Sequence, residues 1–332
     1  MIVEPNNINT NKKSSNIEII EEKKFKIKLL YSYGNELAYI TWGNMLKNYK
    51  KNNIKLAHWT DNNENNDIDF YIIIQYPENK NDFFIEEKTI LIQDEPLIND
   101  IISIGISKNF YYWYNIIYKN TKNNLIEILC HKNYLNNVRW ILNKIPTQFP
   151  HKRLDKVCTV ISFKYHDPGH KLRVNFIKFL EQKYPDIIDI YGSDNAHSFR
   201  NYRGKVPTLS DNYNSNTNYL LNGEKEHLLS QYKYYFMCEN NNINNYATEK
   251  IWESILCENL CFYWGCPNLD NYIDKNSYFR LQLNDFNKDA DLIYNSVNNN
   301  IHREKLNAII SMKEKILNEM CFWETINKLI TK

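Results

Sequence analysis

A glutamate and a lysine stand side by side where a predicted strand, a polar loop and an amphipathic helix meet. The strand is predicted at 234–238, and the helix starts near Thr248, a residue suited to be its N-cap. Glu249 and Lys250 then lie in the first helical turn, at the carboxyl edge of a sheet, where α/β domains bind ligands. Backbone N–H groups and the helix dipole favour a phosphate there, and the lysine adds a full positive charge. The pattern predicts a phosphate-binding site.

A second acidic element follows a predicted strand in the first half of the chain. Glu95 comes just after the strand at 89–93, and Pro96 stops that strand. A carboxylate in this position points into a cleft at the sheet edge and could take a proton from a substrate hydroxyl. Asp94 is the alternative residue for this role, and an ordinary exposed acid is the other interpretation.

The segment 236–267 resembles the donor-binding motif of the family 10 glycosyltransferases, the α-1,3/4-fucosyltransferases. Its matching pieces, in the family's order, are Glu239-Asn240, Tyr246-Ala-Thr248-Glu249-Lys250 and Gly265-Cys-Pro267. Cys238 replaces the usual aromatic residue, and 242–245 is a more polar loop, but neither change removes a functional group. A weaker resemblance covers 157–192, with Ser162, Arg173 and Asp189-Ile-Tyr-Gly192 at matching positions.

The resemblance implies roles for single residues on the donor side. Asn240 and Glu249 would hydrogen-bond the donor's sugar or ribose, and Tyr246 would lie near its base. Lys250 would bind the diphosphate. The predicted donor-binding residues are Arg200, Asn240, Tyr246, Glu249 and Lys250.

The resemblance also bears on the leaving group and on catalysis. The family places an arginine against the donor pyrophosphate, and Arg200 is preferred here over Arg203, which stays an alternative. The family's catalytic base comes from an acidic element at the strand end that Glu95 matches. Inverting transfer needs one carboxylate near the acceptor hydroxyl and cations on the departing diphosphate.

The elements that must position these residues alternate between strands and helices along the whole chain. A chain of 332 residues suits two domains. We therefore predict an α/β protein of GT-B architecture, with two Rossmann-like domains facing each other across a cleft. The predicted parts are a mobile polar leader at 1–23, an acceptor-side domain at 24–148, a donor-binding domain at 149–300 and a C-terminal helix at 301–332.

Composition excludes several classes of partner. The 41 basic and 39 acidic side chains leave a net charge of only +2, so no basic surface for a nucleic acid is predicted. No apolar run approaches the roughly 20 residues of a membrane span, and the polar N-terminus has no signal core. We expect a soluble, cytoplasmic protein, similar to the bacterial members of the family or to a viral relative.

Two sets of residues have spacings that resemble metal-binding motifs, and we expect neither to bind a metal. His166 and His170 have the spacing of a metal-binding helix, but Pro168-Gly169 between them is expected to break any helix, and the next helix is predicted from Lys171. Asp289-Ala-Asp291 stands at a predicted helix start and is interpreted as an N-cap.

The seven cysteines are interpreted as buried free thiols, because their spacing matches neither a disulfide framework nor a zinc knuckle. The resemblance implies no required cofactor, although a divalent cation could stimulate the reaction.

Together these features predict an inverting glycosyltransferase that moves fucose from GDP-fucose to a hydroxyl of a glycan or glycoconjugate acceptor. The same scaffold with another nucleotide-sugar donor is the first alternative. A catalytically silent protein that binds a glycan or nucleotide is the second. The identity of the acceptor does not follow from the sequence.

Overall fold

The computed structural model describes residues 24–47, 49, 51–61, 67–93, 126–129, 152–206, 224–244 and 246–331. Two parallel β-sheets organise these residues, one in each half of the chain. The predicted α/β class is therefore observed. No helix among the described residues is long and apolar enough to cross a lipid bilayer.

The first sheet has the strand order β2-β1-β3-β4-β5. Its strands are β1 (Phe25–Tyr31), β2 (Ile54–Leu56), β3 (Phe70–Ile74), β4 (Thr89–Gln93) and β5 (Ile126–Leu129). Each neighbouring pair is parallel. The central strand β3, Phe-Tyr-Ile-Ile-Ile, is a continuous apolar run, as expected where helices cover both faces of a sheet. Helix α1 (Asn35–Leu46) follows β1.

The second sheet has the strand order β11-β10-β9-β6-β7-β8, again with parallel neighbours. Its strands are β6 (Leu154–Ile161), β7 (Ile188–Gly192), β8 (Tyr202–Gly204), β9 (Tyr232–Cys238), β10 (Leu260–Trp264) and β11 (Tyr278–Arg280). Its helices are α2 (Pro168–Lys183), α3 (Glu224–Ser230), α4 (Glu249–Leu256), α5 (Phe286–Asn298) and α6 (Ile301–Glu319). The described cysteines are buried free thiols, as predicted.

Helix α2 begins earlier than predicted. It starts at Pro168, with Asp167 at the N-cap, rather than at Lys171. Proline is tolerated in the first helical turn because its missing N–H would have no helical partner there. The Pro168-Gly169 pair therefore starts a helix and does not break one.

The predicted C-terminal helix at 301–332 is in fact two helices, α6 and α7 (Phe322–Ile330). Ile309, Met312 and Ile316 of α6 belong to the core of the second sheet. Phe322 and Trp323 of α7 belong to the core of the first sheet. A single straight helix could not reach both cores, so the chain turns between them.

Polar contacts also hold α7 on the first sheet's domain. The Trp323 indole N–H donates to the Trp42 carbonyl oxygen at 3.0 Å. The Tyr49 hydroxyl donates to Glu324 Oε2 at 2.8 Å, and Asn53 Nδ2 donates to Asn327 Oδ1 at 2.6 Å. The end of the chain is therefore part of the first domain.

We expect Trp323→Ala to destabilise the first domain by about 3–5 kcal/mol, because it removes an indole that is only 1% exposed from that core. Amide hydrogen exchange of β1 should accelerate correspondingly, while β9 keeps its protection. Ile310→Ala is the control, since Ile310 lies on α6 and is 38% exposed. Faster exchange in β9 than in β1 would contradict this assignment of α7.

Candidate functional site

A cavity of about 570 Å³ opens at the carboxyl ends of β6, β7 and β9. The strand order reverses between β6 and β9, and such a reversal leaves a crevice where open α/β sheets bind ligands. The charged and histidine side chains that line it are Lys164, His170, Arg173, Lys205, Lys225, Glu249 and Lys250. The crevice is therefore mainly cationic.

Glu239 joins the elements around the cavity. Its side chain is fully buried at the end of β9. Its Oε1 accepts hydrogen bonds from the Thr248 N–H at 2.8 Å and the Tyr263 hydroxyl at 3.1 Å. Its Oε2 accepts one from the Thr248 hydroxyl at 2.6 Å. Thr248 is the N-cap residue of α4, as predicted, but its hydroxyl bonds Glu239 instead of capping the helix.

Lys250 is held beside this carboxylate. Its Nζ lies 3.3 Å from Glu239 Oε2, and it donates to Glu249 Oε1 at 3.1 Å and to Thr248 Oγ1 at 2.7 Å. Burial alone would lower the pKa of the Lys250 ammonium, but the Glu239 and Glu249 carboxylates raise it. Lys250 therefore presents a permanent positive charge to the cavity.

Lys225 is a second cation at the cavity wall, partly buried and contributed by α3. It forms an ion pair with Glu253 of α4. Burial would lower the pKa of its ammonium, but Glu253 holds this pKa well above the usual value. Lys225 also stays charged at the cavity wall.

Arg173 of α2 is buried, with 3% of its surface exposed, yet it has no carboxylate within ion-pair distance among the described residues. One guanidinium nitrogen donates to the Cys238 carbonyl oxygen at 3.0 Å. Its Nε–H has no partner in the described part of the chain. A buried charge without a counter-ion is costly, so its position at the cavity wall points to an anionic ligand.

The backbone of α2 lies directly against the end of β9. Gly169 N–H donates to the Asn240 carbonyl oxygen at 2.9 Å. A Cβ atom at residue 169 would lie 1.8 Å from the Glu239 carbonyl oxygen, so only glycine permits this approach. Arg173 thereby reaches the crevice from one helix and Lys250 from another.

We expect Gly265→Ala to destabilise the site. Gly265 has φ +153°, and an added Cβ would lie 2.4 Å from Glu239 Cγ, which would push that carboxylate away from Thr248. Gly204→Ala is the matched control, because Gly204 has φ +117° but open space around its Cβ position. Gly265→Ala should reduce the free energy of unfolding by about 1–3 kcal/mol more than the control. Equal losses of unfolding free energy in the two variants would show that the positive φ, and not the contact with Glu239, causes the destabilisation.

Three of the predicted donor-binding residues meet at this cavity: Asn240, Glu249 and Lys250 all line it. Tyr246 is 5% exposed and is not among the described residues that line the cavity. Its predicted position near a nucleobase stays a prediction. Glu95 and its alternative Asp94 lie outside the described residues.

The two candidate arginines also lie away from the described cavity wall. Arg200 is exposed, and its backbone N–H donates to Glu181 Oε2 at 2.9 Å. Arg203 Nε donates to Asp189 Oδ1 at 2.8 Å, a contact at the start of β7. The cationic residues that sequence reasoning did not assign to the site are Lys164, Arg173, Lys205 and Lys225. Arg173 had a sequence signal, because it lies at a matching position in the segment 157–192.

In the first sheet's domain, the N-terminus of α1, the helix that follows β1, is already occupied by carboxylates. At the start of α1, Asn35 N–H donates to Glu78 Oε2 at 2.9 Å, and Asn35 Nδ2 donates to Asp82 Oδ2 at 3.0 Å. Side-chain carboxylates thus occupy the helix N-terminus at which an external anion could otherwise bind. Among the described residues, the cationic crevice lies in the second domain.

Residues 150–300 match the C-terminal model of glycosyltransferase family 10, whose description names fucosyltransferases. The second domain belongs to glycosyltransferase family 10. The chain is therefore a glycosyltransferase, and its family 10 domain contains the cationic cavity. No curated protein sequence matches the chain.

Solved structures resemble most of the chain. An α-glucosyltransferase bound to UDP and a 13-mer DNA has a TM-score of 0.57 at 9% identity, covering 93% of this chain and 100% of that one. The same kind of enzyme with UDP has a TM-score of 0.54 at 8% identity, with the same coverage. An α1,3-fucosyltransferase with GDP-fucose is 16% identical, with a TM-score of 0.42 and 94% of both chains covered. The predicted GT-B fold is confirmed.

Proposed function

We propose that this glycosyltransferase moves fucose from GDP-fucose to a hydroxyl of a glycan or glycoconjugate, with inversion at the sugar carbon. The donor's nucleoside diphosphate would bind in the crevice of the family 10 domain, and the acceptor would approach from the first domain. The family's description supports fucose as the sugar. The charge of the crevice supports a diphosphate.

The balance of charges around the crevice carries the proposal. Five lysines and arginines line it: Lys164, Arg173, Lys205, Lys225 and Lys250. Three carboxylates pair with or lie beside them: Glu239, Glu249 and Glu253. Among the described residues, five lining cations face three carboxylates that pair with or lie beside them, so positive charge is in excess. A nucleoside diphosphate sugar carries one negative charge on each of its two phosphates, so it would neutralise this surplus.

The proposed reaction uses these charges on the leaving group. Negative charge builds on the diphosphate as the bond to the sugar breaks, and Arg173, Lys225 and Lys250 would stabilise it. These cations are fixed in place before the reaction, so little reorganisation accompanies bond breaking. Asn240 and Glu249 would bind hydroxyl groups of the donor.

The acceptor side of the reaction depends on Glu95. In a single displacement the acceptor hydroxyl attacks the sugar carbon from the side opposite the diphosphate, which inverts that carbon. Glu95 would take the hydroxyl proton in this step. The resemblance to the family and the place of Glu95 just after β4 support this role.

Calorimetry with GDP-fucose, GDP-mannose, UDP-glucose and GDP tests the donor. We expect GDP-fucose and GDP to bind, and UDP-glucose to bind at least about tenfold more weakly. Incubation of the preferred donor with a panel of glycan acceptors, followed by NMR of the product, tests transfer and inversion. Preference for another nucleotide-sugar would support the alternative donor, and binding without transfer or donor hydrolysis would support a silent binding protein.

A further inference from the structure

Three potential metal ligands meet at the start of α2. His166 Nε2 lies 3.6 Å from Asp167 Oδ2, and His170 Nδ1 lies 3.4 Å from the same oxygen. The ligand atoms of all three residues are within 4.8 Å of one another. His170 also lines the cationic cavity, so this cluster adjoins it.

Helix capping explains only part of this arrangement. The Asp167 N–H donates to His170 Nδ1 at 3.3 Å, which fits the reciprocal bonding of residues at a helix start. His166 takes no part in that bond, yet its ring centroid lies 4.8 Å from that of His170. The cluster therefore brings a second imidazole to the same carboxylate oxygen, which capping does not require.

The separations match the edges of a tetrahedral coordination shell. Zinc bonds to histidine nitrogen and carboxylate oxygen are about 2.1 Å long, which gives ligand–ligand separations of about 3.4 Å. The two distances to Asp167 Oδ2, 3.4 and 3.6 Å, are close to this value. The third pair, His166 and His170, must close somewhat, and His166 can move because its side chain is 45% exposed.

We infer that His166, Asp167 and His170 bind one divalent transition-metal ion of the zinc class. Two imidazoles and one carboxylate suit such an ion, whereas Mg²⁺ and Ca²⁺ prefer oxygen ligands. Three protein ligands leave a fourth position for water or for an anion. The inference does not depend on which sugar donor the enzyme uses.

The proposed ligand atom of His170 is its Nδ1, which accepts a hydrogen bond from the Asp167 N–H at 3.3 Å and so carries a lone pair. An imidazole nitrogen has a single lone pair, so a metal ion would displace the Asp167 N–H from it.

The cations of the cavity wall oppose an incoming metal ion through charge repulsion. Lys164, Arg173 and Lys250 all act on His170 through their positive charge. Removing one of them without touching a ligand should therefore tighten metal binding. Lys164→Met is suited to this test, because Lys164 is exposed and its loss leaves the core intact.

The experiment titrates metal-stripped full-length protein with Co²⁺ and follows its absorption, and measures bound Zn²⁺ by equilibrium dialysis. We expect one ion per chain, with the visible bands of tetrahedral cobalt and without the near-ultraviolet band of cobalt thiolate. His166→Ala should weaken binding at least about tenfold, and Asp167→Asn, which keeps a side chain able to cap the helix, should do the same. Lys164→Met should strengthen binding by about two- to tenfold.

His58→Ala is the matched control, since His58 is an exposed histidine of the first domain. It should bind metal as the wild-type protein does. Equal affinities of the wild-type, His166→Ala and Asp167→Asn proteins would overturn the inference. A cobalt thiolate band would also overturn it, because it would place the ion on cysteine.

Discussion

Replacing Arg173 with methionine is expected to weaken the binding of GDP-fucose by about 30- to 1,000-fold without lowering the stability of the unliganded protein. The guanidinium is buried at the cavity wall and has no carboxylate partner among the described residues. Its charged hydrogen bonds to a diphosphate would contribute about 2–4 kcal/mol. Calorimetry with GDP-fucose and thermal unfolding without ligand measure the two quantities.

The substitution should weaken donor binding but not the unliganded fold, because the arginine's charge has opposite effects in the two states. An unpaired buried cation costs free energy in the empty protein, and methionine of similar length removes that cost. The lost hydrogen bond to the Cys238 carbonyl oxygen offsets only part of the gain. We therefore expect the midpoint of thermal unfolding of Arg173→Met to equal or exceed that of the wild type.

Lys178→Met is the control for this prediction, because Lys178 is an exposed cation on the same helix. It should change neither donor affinity nor stability measurably. If Arg173→Met lowers the unfolding midpoint sharply and leaves donor affinity unchanged, then the arginine is a structural residue and the cavity does not hold the diphosphate.

Replacing Glu95 with glutamine is expected to lower kcat by about 10²- to 10⁴-fold, the usual contribution of a general base. The amide has almost the same shape but cannot take the proton of the acceptor hydroxyl. The dissociation constant of GDP-fucose should stay within about twofold of the wild-type value, because the cations proposed to bind the diphosphate lie on the other domain. Initial rates and calorimetry separate the two effects.

Asp94→Asn distinguishes Glu95 from its neighbour. If Glu95 is the base, Asp94→Asn should keep most of the activity. A full loss of turnover in Asp94→Asn, with Glu95→Gln active, would transfer the role to Asp94. Unchanged kcat in both variants would remove this acidic element from the mechanism.

The donor side of the site was largely predictable because its pieces are close in sequence. The strand predicted at 234–238 is β9, which ends at Cys238 as predicted, and α4 starts next to the predicted N-cap Thr248. Asn240, Glu249 and Lys250 reach the cavity because a strand end and a helix start must meet at one edge of a parallel sheet. Local patterns are sufficient for such predictions.

Other predictions failed where the outcome depended on distant parts of the chain. The Pro168-Gly169 pair was interpreted as a break, yet it starts α2 against the end of β9. The C-terminal helix was predicted as one element, yet its two halves pack into different cores. A local pattern states that a segment is helical and apolar, but it does not state which core will take it.

The sequence by itself determined the alternation of strands and helices, the family of the second domain and the acid–base pair at the start of α4, because each depends on neighbouring residues. Only the tertiary structure decided that Arg173 and Lys225 join Lys250 around one crevice, while Arg203 is paired with Asp189. The reason is physical: whether a cation is neutralised or available to a ligand depends on distances and burial between segments far apart in the chain.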